Sequence, residues 1–173
     1  GMIVAKNEEN LAKIKYLSTQ AKDDALNYIH NDIGYNYRMT NLQGALGVAQ
    51  LEQLEGFMEI KKNNYNLYKE LFKYINDVKI LDFSESIKPN YWFYSLLLEN
   101  SKINRDEIIR KLADNKIQTR PIWGLIHKQR PYLETQSYKI EKAFYYHNRV
   151  INIPCSSNLK EDEVVRVVEA IKN

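Results

Sequence analysis

The chain has 173 residues, of which 44% are hydrophobic and 27% are charged. This composition is typical of a soluble globular protein, and no apolar run approaches the roughly 20 residues that span a bilayer. The 25 Lys and Arg against 22 Asp and Glu are interleaved, so the net charge of +3 favours neither a nucleic-acid nor a membrane partner. Cys155 is the only cysteine, so the sequence offers no internal disulfide and no Cys and His spacing typical of a zinc site. A reducing cytoplasm is the expected compartment.

The amino-terminal pattern predicts a strand followed by a helix. Met2–Ala5 is apolar and predicts a strand, and because a strand needs a neighbour, we expect the chain to be cut from a longer protein. Apolar residues recur at helical spacing over residues 8–19 and predict a helix. The polar segment STQAKDD that follows predicts a loop.

A second helix is predicted to begin after Thr40. Gln43 stands three residues later and completes the pattern of a capping box. Apolar positions then continue to Ile75 without a proline, which predicts one bent helix or two consecutive helices across residues 40–76. An element of this length suggests a bridge between domains.

The remaining elements alternate between strand and helix and define an α+β fold class. In chain order the pattern predicts strands at Val78–Phe83 and Tyr91–Leu98, a helix capped by Asn104, a strand at Ile117–Thr119, a helix at Ile140–Arg149, a strand at Val150–Ile153 and a closing helix with Val164, Val168 and Ile171. Pro121 is predicted to end regular structure after the third strand, and a loop follows over residues 122–137.

The polar turn before the Thr40 helix is the first candidate site. Unpaired N–H groups and the macrodipole of a helix start favour an anion, and Asn36, Arg38 and Thr40 are suitable donors for a phosphate. The alternative is that Thr40 only caps the helix and that Arg38 pairs with a carboxylate. Tyr35 and Tyr37 would then simply pack.

The second candidate site is the loop that carries Arg120, Trp123 and His127 near two prolines. Arg120 could bind a carboxylate or phosphate through two hydrogen bonds, and His127 could donate to a sugar hydroxyl. A surface loop with a packed tryptophan is the alternative.

The segment GYNYRMTNLQGALGVAQLEQLE, residues 34–55, resembles the signature segment of the DegT/DnrJ-type sugar-nucleotide aminotransferases. These are fold-type I enzymes that use pyridoxal phosphate. Other segments resemble, in order, the strand after the cofactor lysine, the substrate loop and the closing strand and helix: GMIV, TRPIWGLIH and NIPCSSNLKEDEVVRVVEAI. The resemblance therefore covers essentially the whole chain. YLSTQAKDD and YIHNDIGYNYR are similar to members that aminate UDP-linked 4-keto-6-deoxy-N-acetylhexosamines.

The resemblance implies the small C-terminal domain of a fold-type I aminotransferase, an antiparallel sheet flanked by helices with a long interdomain helix. Residues 1–39 would be a remnant of the large-domain edge with its connecting loop. Residues 40–76 would form the interdomain helix or helix pair, and residues 77–173 the small α+β domain.

The resemblance also implies transfer of an amino group from glutamate to a keto sugar nucleotide, in bacterial surface-glycan or amino-sugar biosynthesis. In this family the lysine that binds pyridoxal phosphate lies upstream of the strand that GMIV resembles. We therefore expect no catalytic residue in this chain, and no activity from the chain alone. Its expected partners are the large N-terminal domain, a second copy in a homodimer, glutamate and a UDP-linked keto sugar.

Residue roles follow from the same resemblance. In the family dimer the segment that GYNYRMTN matches reaches the partner's active site, so Asn36 and Arg38 are expected to contact the cofactor phosphate in trans. Tyr35 and Tyr37 are weaker candidates for the same contact. Three residues of the second cluster are expected near the nucleotide sugar: Arg120, Trp123 and His127.

A self-sufficient, non-catalytic binding or regulatory module derived from the same fold is the alternative. Its recognition surface would use the 13 tyrosines and the scattered basic residues. A cofactor-free monomer without exposed apolar surface would favour this alternative. The enzyme interpretation instead predicts uncovered apolar surface along the long helix. Gly44 and Gly47 lie inside that helix and each costs about 1 kcal/mol relative to alanine unless another backbone packs close.

Overall fold

The computed structural model describes residues 2–100 and 102–172, so Gly1, Ser101 and Asn173 lie outside the described part. The chain divides into two compact units, one ending at Gln53 and one starting at Leu54. The division falls inside residues 40–76, the segment predicted to bridge two domains.

The first unit holds two helices, α1 (Glu8–Ser18) and α2 (Asn41–Glu52). The Asn7 side chain caps α1 by accepting from the Asn10 N–H at 2.8 Å. The capping box predicted for α2 is confirmed, since Thr40 and Gln43 bond reciprocally at its start. The predicted strand at Met2–Ala5 is wrong, because these residues are non-regular and no described segment pairs with them.

The second unit begins with α3 (Leu54–Phe72), so the predicted long element is two consecutive helices. Its other elements, in chain order, are β1 (Val78–Ile80), β2 (Tyr94–Leu98), α4 (Arg105–Asp114), β3 (Arg120–Pro121), α5 (Glu141–His147), β4 (Val150–Ile153) and α6 (Glu161–Lys172). Single 3-10 turns at Ile126–Lys128 and Arg130–Tyr132 lie between β3 and α5. The predicted α+β fold class is confirmed.

The strands form one antiparallel sheet in the order β1-β2-β4-β3. Alternate side chains of β2 and β4 point to the same face, where α3, α4 and α6 cover them. The resulting core contains Tyr68, Tyr94, Leu96, Leu112, Ile151 and Val164, all of them fully buried. Burying apolar area of this kind stabilises the unit by about 25 cal/mol per Å².

Three strand boundaries differ from the predictions. The strand predicted over Val78–Phe83 ends at Ile80. The strand predicted from Tyr91 begins at Tyr94, because Tyr91 has a φ of 52° and cannot continue a strand. The strand predicted at Ile117–Thr119 is wrong, since β3 lies at Arg120–Pro121. Pro121 lies in β3 and pairs with β4. A proline is tolerated there because β3 is an edge strand, in which not every backbone N–H has to donate to a neighbouring strand.

Helix α2 has no buried residue, although most of its side chains are apolar. Leu42, Leu46 and Leu51 are 81%, 63% and 70% exposed. Uncovered apolar surface along this helix is what the enzyme interpretation predicts. No helix in the described part of the chain combines the length and hydropathy required for a membrane span.

Substituting the glycines of α2 should raise the stability of this chain. A Cβ added at Gly44 or Gly47 meets no atom within 4 Å, so each Gly→Ala change should favour the helix by up to about 1 kcal/mol. Circular dichroism during thermal unfolding checks this expectation. Gly56→Ala is the comparison, because an added Cβ at this position in α3 also meets no atom within 4 Å. A midpoint temperature below that of the unsubstituted chain, for either α2 variant, would contradict the expectation.

Candidate functional site

The segment before α2 is extended because its backbone pairs with the end of α1. The Tyr35 N–H donates to the Leu17 carbonyl at 2.7 Å, and the Gln20 N–H donates to the Tyr35 carbonyl at 3.0 Å. The Tyr37 N–H donates to the Ser18 carbonyl at 3.1 Å. These bonds fix the segment, although it belongs to no named strand.

Side chains alternate along this extended segment. Tyr35 and Tyr37 stack on each other, with ring centroids 5.1 Å apart and an interplanar angle of 5°. Asn36 and Arg38 alternate with them and are exposed. Within the described residues Arg38 takes part in no salt bridge, so the pairing with a nearby carboxylate that we considered is not formed.

The start of α2 adds backbone donors to the same segment. The Thr40 N–H donates to Gln43 Oε1 at 2.9 Å, and the Gln43 N–H donates to Thr40 Oγ1 at 3.3 Å. The first-turn N–H groups of Asn41 and Leu42 find no acceptor among the described residues. The N–H groups of Asn41 and Leu42, three and four residues after Arg38, are therefore free to donate to an anion at the start of α2 among the described residues.

The loop between α1 and this segment is held by Asp23. Its carboxylate accepts from the Asn31 N–H at 2.8 Å and from the Tyr16 hydroxyl at 2.9 Å. Both hydrogen bonds lower the pKa of Asp23, and the bond from the Asn31 N–H has the larger effect. Partial desolvation, together with Asp23, raises the pKa of Tyr16 to about 12. The loop is therefore held by an ionised carboxylate and a neutral phenol at neutral pH.

Gly34 is the tightest point of this loop. An added Cβ would lie 2.2 Å from the Ala21 nitrogen and 2.2 Å from the Gln20 carbonyl carbon, and both are backbone atoms that cannot swing aside. Only glycine fits this close backbone approach.

Gly34→Ala should therefore displace the segment that carries Asn36 and Arg38, at a cost of about 1–3 kcal/mol. Urea unfolding and amide hydrogen exchange around residues 34–38 measure the effect. Gly44→Ala is the matched control, because it adds the same methyl group in open space. Equal stability of the two variants would show that this approach does not constrain the segment.

In the second unit, Arg120 and Trp123 are brought near Phe93. The Trp123 ring lies edge-on to Phe93 with centroids 5.2 Å apart, and Arg120 and Phe93 line the same cavity. His127 lies elsewhere, packed edge-on against Phe144 at 5.3 Å. Its Nε2 is buried and has no hydrogen-bond partner among the described residues. Of the three residues proposed from this loop, Arg120 and Trp123 therefore lie near Phe93, and His127 packs against Phe144.

Trp92 and Phe93 were not singled out from the sequence, because both fell inside the predicted strand. In the structure they precede β2, and Trp92 is 63% exposed. The Trp92 ring lies 4.5 Å from Phe93 and 6.2 Å from Trp123, centroid to centroid. The signal available in the sequence was that Trp92 and Trp123 are its only two tryptophans.

No group of three or more His, Cys, Asp or Glu side chains in residues 2–100 and 102–172 could hold a metal ion. The arrangement instead offers anion donors in the first unit, and arginine with exposed aromatic rings in the second. These are groups that recognise phosphates, carboxylates and flat or sugar rings.

Both the fold and the sequence match known aminotransferases. Helicobacter pylori PseC, described as an aminotransferase involved in the biosynthesis of pseudoaminic acid, shares the fold over 97% of this chain and 46% of its own, with a TM-score of 0.78 and 21% identity. GDP-perosamine synthase of Escherichia coli O157:H7 is 33% identical over 99% of this chain and 46% of its own length. EpsN of Bacillus subtilis, a candidate pyridoxal phosphate-dependent aminotransferase, is 31% identical over 99% and 45%.

The fold is thus that of one part of a sugar aminotransferase. The profile of the DegT/DnrJ/EryC1/StrS aminotransferase family matches residues 1–172, and the chain belongs to that family. It spans just under half of the length of the curated relatives that it matches.

Proposed function

We propose that this chain is the C-terminal part of a pyridoxal-phosphate-dependent enzyme that moves an amino group from glutamate to the ketone of a nucleotide-linked sugar. The observation that carries the proposal is the exposed pair Asn36 and Arg38, held beside the open N-terminus of α2 in a chain that matches the family from residue 1 to residue 172. When bound, pyridoxal phosphate supplies the electron sink that makes amino transfer possible.

The donors of the first unit fit the phosphate of that cofactor. The Arg38 guanidinium can donate two parallel hydrogen bonds to phosphate oxygens, and the Asn36 amide can donate a third. The N–H groups of Asn41 and Leu42 add the positive end of the helix dipole. Following the family resemblance, we assign these residues to the active site of a second copy in a homodimer, with the stacked Tyr35 and Tyr37 as weaker participants.

The domain boundaries belong to the same proposal. Residues 1–39 complete the edge of a large domain, residues 40–76 connect it to the small domain, and residues 77–173 form that small domain. The large domain would provide the lysine that binds the cofactor, so the chain alone would be inactive. The exposed leucines of α2 support a missing neighbour for this helix. The single cysteine supports a reducing cytoplasm as the compartment.

The sugar is the least constrained part of the proposal. The sequence segments before α2 favour a UDP-linked 4-keto-6-deoxy-N-acetylhexosamine. GDP-perosamine synthases are among the relatives, as is the UDP-4-amino-4,6-dideoxy-N-acetyl-β-L-altrosamine transaminase of Campylobacter jejuni, 27% identical over 96% of this chain. UDP- and GDP-linked keto sugars are therefore the substrates to compare.

The first experiment is to read the gene upstream of the Gly1 codon and to express the complete reading frame. An upstream lysine within a large α/β domain, visible absorbance from bound cofactor, and release of 2-oxoglutarate from glutamate in the presence of a keto sugar would support the proposal. A stop codon followed by a start codon at Met2 would exclude transamination by this chain, and the binding-module alternative would then stand.

A further inference from the structure

Three aromatic rings form an exposed cluster on the second unit, which we call the aromatic platform: Trp92, Phe93 and Trp123. Trp92 and Trp123 are 63% and 64% exposed, although they are the only tryptophans of the chain. Phe93 contacts both rings, so the cluster presents continuous aromatic surface rather than scattered side chains. Large aromatic faces exposed together are typical of surfaces that bind rings.

The backbone before the platform is built to turn Trp92 outward. Tyr91 has a φ of 52°, a conformation that an aromatic residue adopts only when the surrounding structure enforces it. Its ring packs inward against Tyr65 and Phe83, with both centroid distances at 5.3 Å. The unfavourable φ therefore separates a packed Tyr91 from an exposed Trp92.

Lys61 of α3 fixes the same loop from below. Its ammonium group donates to the Cys155 carbonyl and, at 3.5 Å, to the Trp92 carbonyl. The Lys61 carbonyl in turn accepts from the Tyr94 hydroxyl at 2.7 Å. The backbone at Trp92 is thus anchored to α3, while the Trp92 ring stays exposed.

A basic cavity of about 370 Å³ adjoins the platform, and Phe93 lines it. Three cationic side chains line the cavity, Lys116, Arg120 and Arg166, against the single carboxylate of Glu163. Arg166 also donates to the Asn115 carbonyl, and Glu163 accepts from the Lys160 N–H. The cationic side chains therefore outnumber the carboxylate by three to one.

The cavity also holds a polar atom with no partner. Thr119 lines it, and the Thr119 hydroxyl is buried without a hydrogen bond among the described residues. A buried hydroxyl of this kind is costly unless a ligand or water satisfies it. A cavity that combines an excess of cations with an open hydroxyl suits phosphate oxygens.

We propose that the aromatic platform stacks the base of a nucleoside diphosphate whose phosphates enter the basic cavity. Phe93 belongs to both features, so base and phosphates would bind at adjacent places on one surface. Trp92 becomes a specificity-determining residue that the sequence did not reveal, and Arg120 becomes a phosphate ligand. The inference rests on the proposed function, since it assigns the nucleotide part of the same substrate.

The test is a fluorescence titration of the 173-residue chain with UDP and with GDP. Both ligands should quench the tryptophan emission in a saturable way. Trp92→Ala, read through Trp123, should weaken binding by about 5- to 150-fold, the range measured for loss of one base-stacking aromatic. Trp92→Phe keeps an aromatic face and should retain most of the affinity, while Tyr74→Ala, 85% exposed, is the remote control.

Inorganic pyrophosphate, followed by calorimetry, separates the two halves of the site. Its affinity should be unchanged by Trp92→Ala and reduced by Arg120→Ala. The absence of saturable quenching, or equal loss with Tyr74→Ala, overturns the inference. Because the titration needs neither cofactor nor glutamate, such a failure leaves transamination by the full-length enzyme to stand or fall separately.

Discussion

Replacing Arg38 by alanine should weaken retention of pyridoxal phosphate by about 10- to 150-fold in the full-length enzyme that we propose, since a hydrogen bond to a charged group contributes about 1.5–3 kcal/mol. The Arg38 side chain is exposed and belongs to no salt bridge in the described part of the chain. Its loss should therefore change cofactor affinity far more than stability. Dialysis followed by the visible absorbance of the remaining cofactor measures the first quantity, and urea unfolding measures the second.

Arg110→Ala is the matched control for this variant. Arg110 is also an exposed arginine, but it lies on α4 and donates to the Asp106 carbonyl of its own helix. We expect wild-type cofactor retention in Arg110→Ala. If Arg38→Ala also retains the cofactor normally, the assignment of Arg38 to the phosphate is wrong.

Replacing Tyr68 by alanine should lower the free energy of unfolding of the second unit by about 3–5 kcal/mol. The Tyr68 ring is fully buried and packs against Phe72 and Tyr94, with centroids 6.1 and 5.7 Å away. Burial also raises its pKa, so the phenol is neutral throughout the physiological range. The resulting cavity lies at the centre of the helix and sheet contact and has no easy route to collapse.

Tyr68 and Tyr94, two of the buried tyrosines, should respond differently to phenylalanine. The Tyr68 hydroxyl is buried without a partner among the described residues, so Tyr68→Phe should be neutral or slightly stabilising. Tyr94→Phe removes the hydrogen bond to the Lys61 carbonyl and should cost about 0.5–1.5 kcal/mol. Urea titrations of all three variants distinguish these effects. A stable Tyr68→Ala, or a Tyr68→Phe less stable than Tyr94→Phe, would count against the described packing.

The best predicted features are those fixed by neighbouring residues. The capping box of Thr40 and Gln43 involves only local bonds, and it forms as predicted. The α+β class followed from alternating patterns that extend over many residues. The strand prediction for Met2–Ala5 was wrong because a strand depends on a distant partner that the local sequence does not specify.

The site was only partly accessible to sequence reasoning. Asn36 and Arg38 could be proposed from the sequence because a helix start lies close to them in the chain. The exposure of Trp92 could not be predicted, because apolar alternation assigned it to a strand. Its exposure depends on the left-handed backbone conformation of Tyr91. The Tyr91 ring packs against Tyr65 of α3 and against Phe83 after β1, and these contacts between distant residues cannot be read from a local sequence pattern.

The sheet order has a consequence for how the second unit can meet other chains. Its two borders are β1, three residues long, and β3, two residues long with Pro121 inside it. Both borders are short and β3 contains a proline, so they offer few free backbone groups to an incoming strand, which discourages amyloid-like stacking. Association through this unit is therefore left to side chains on its helices and loops, where shape and charge can discriminate between partners.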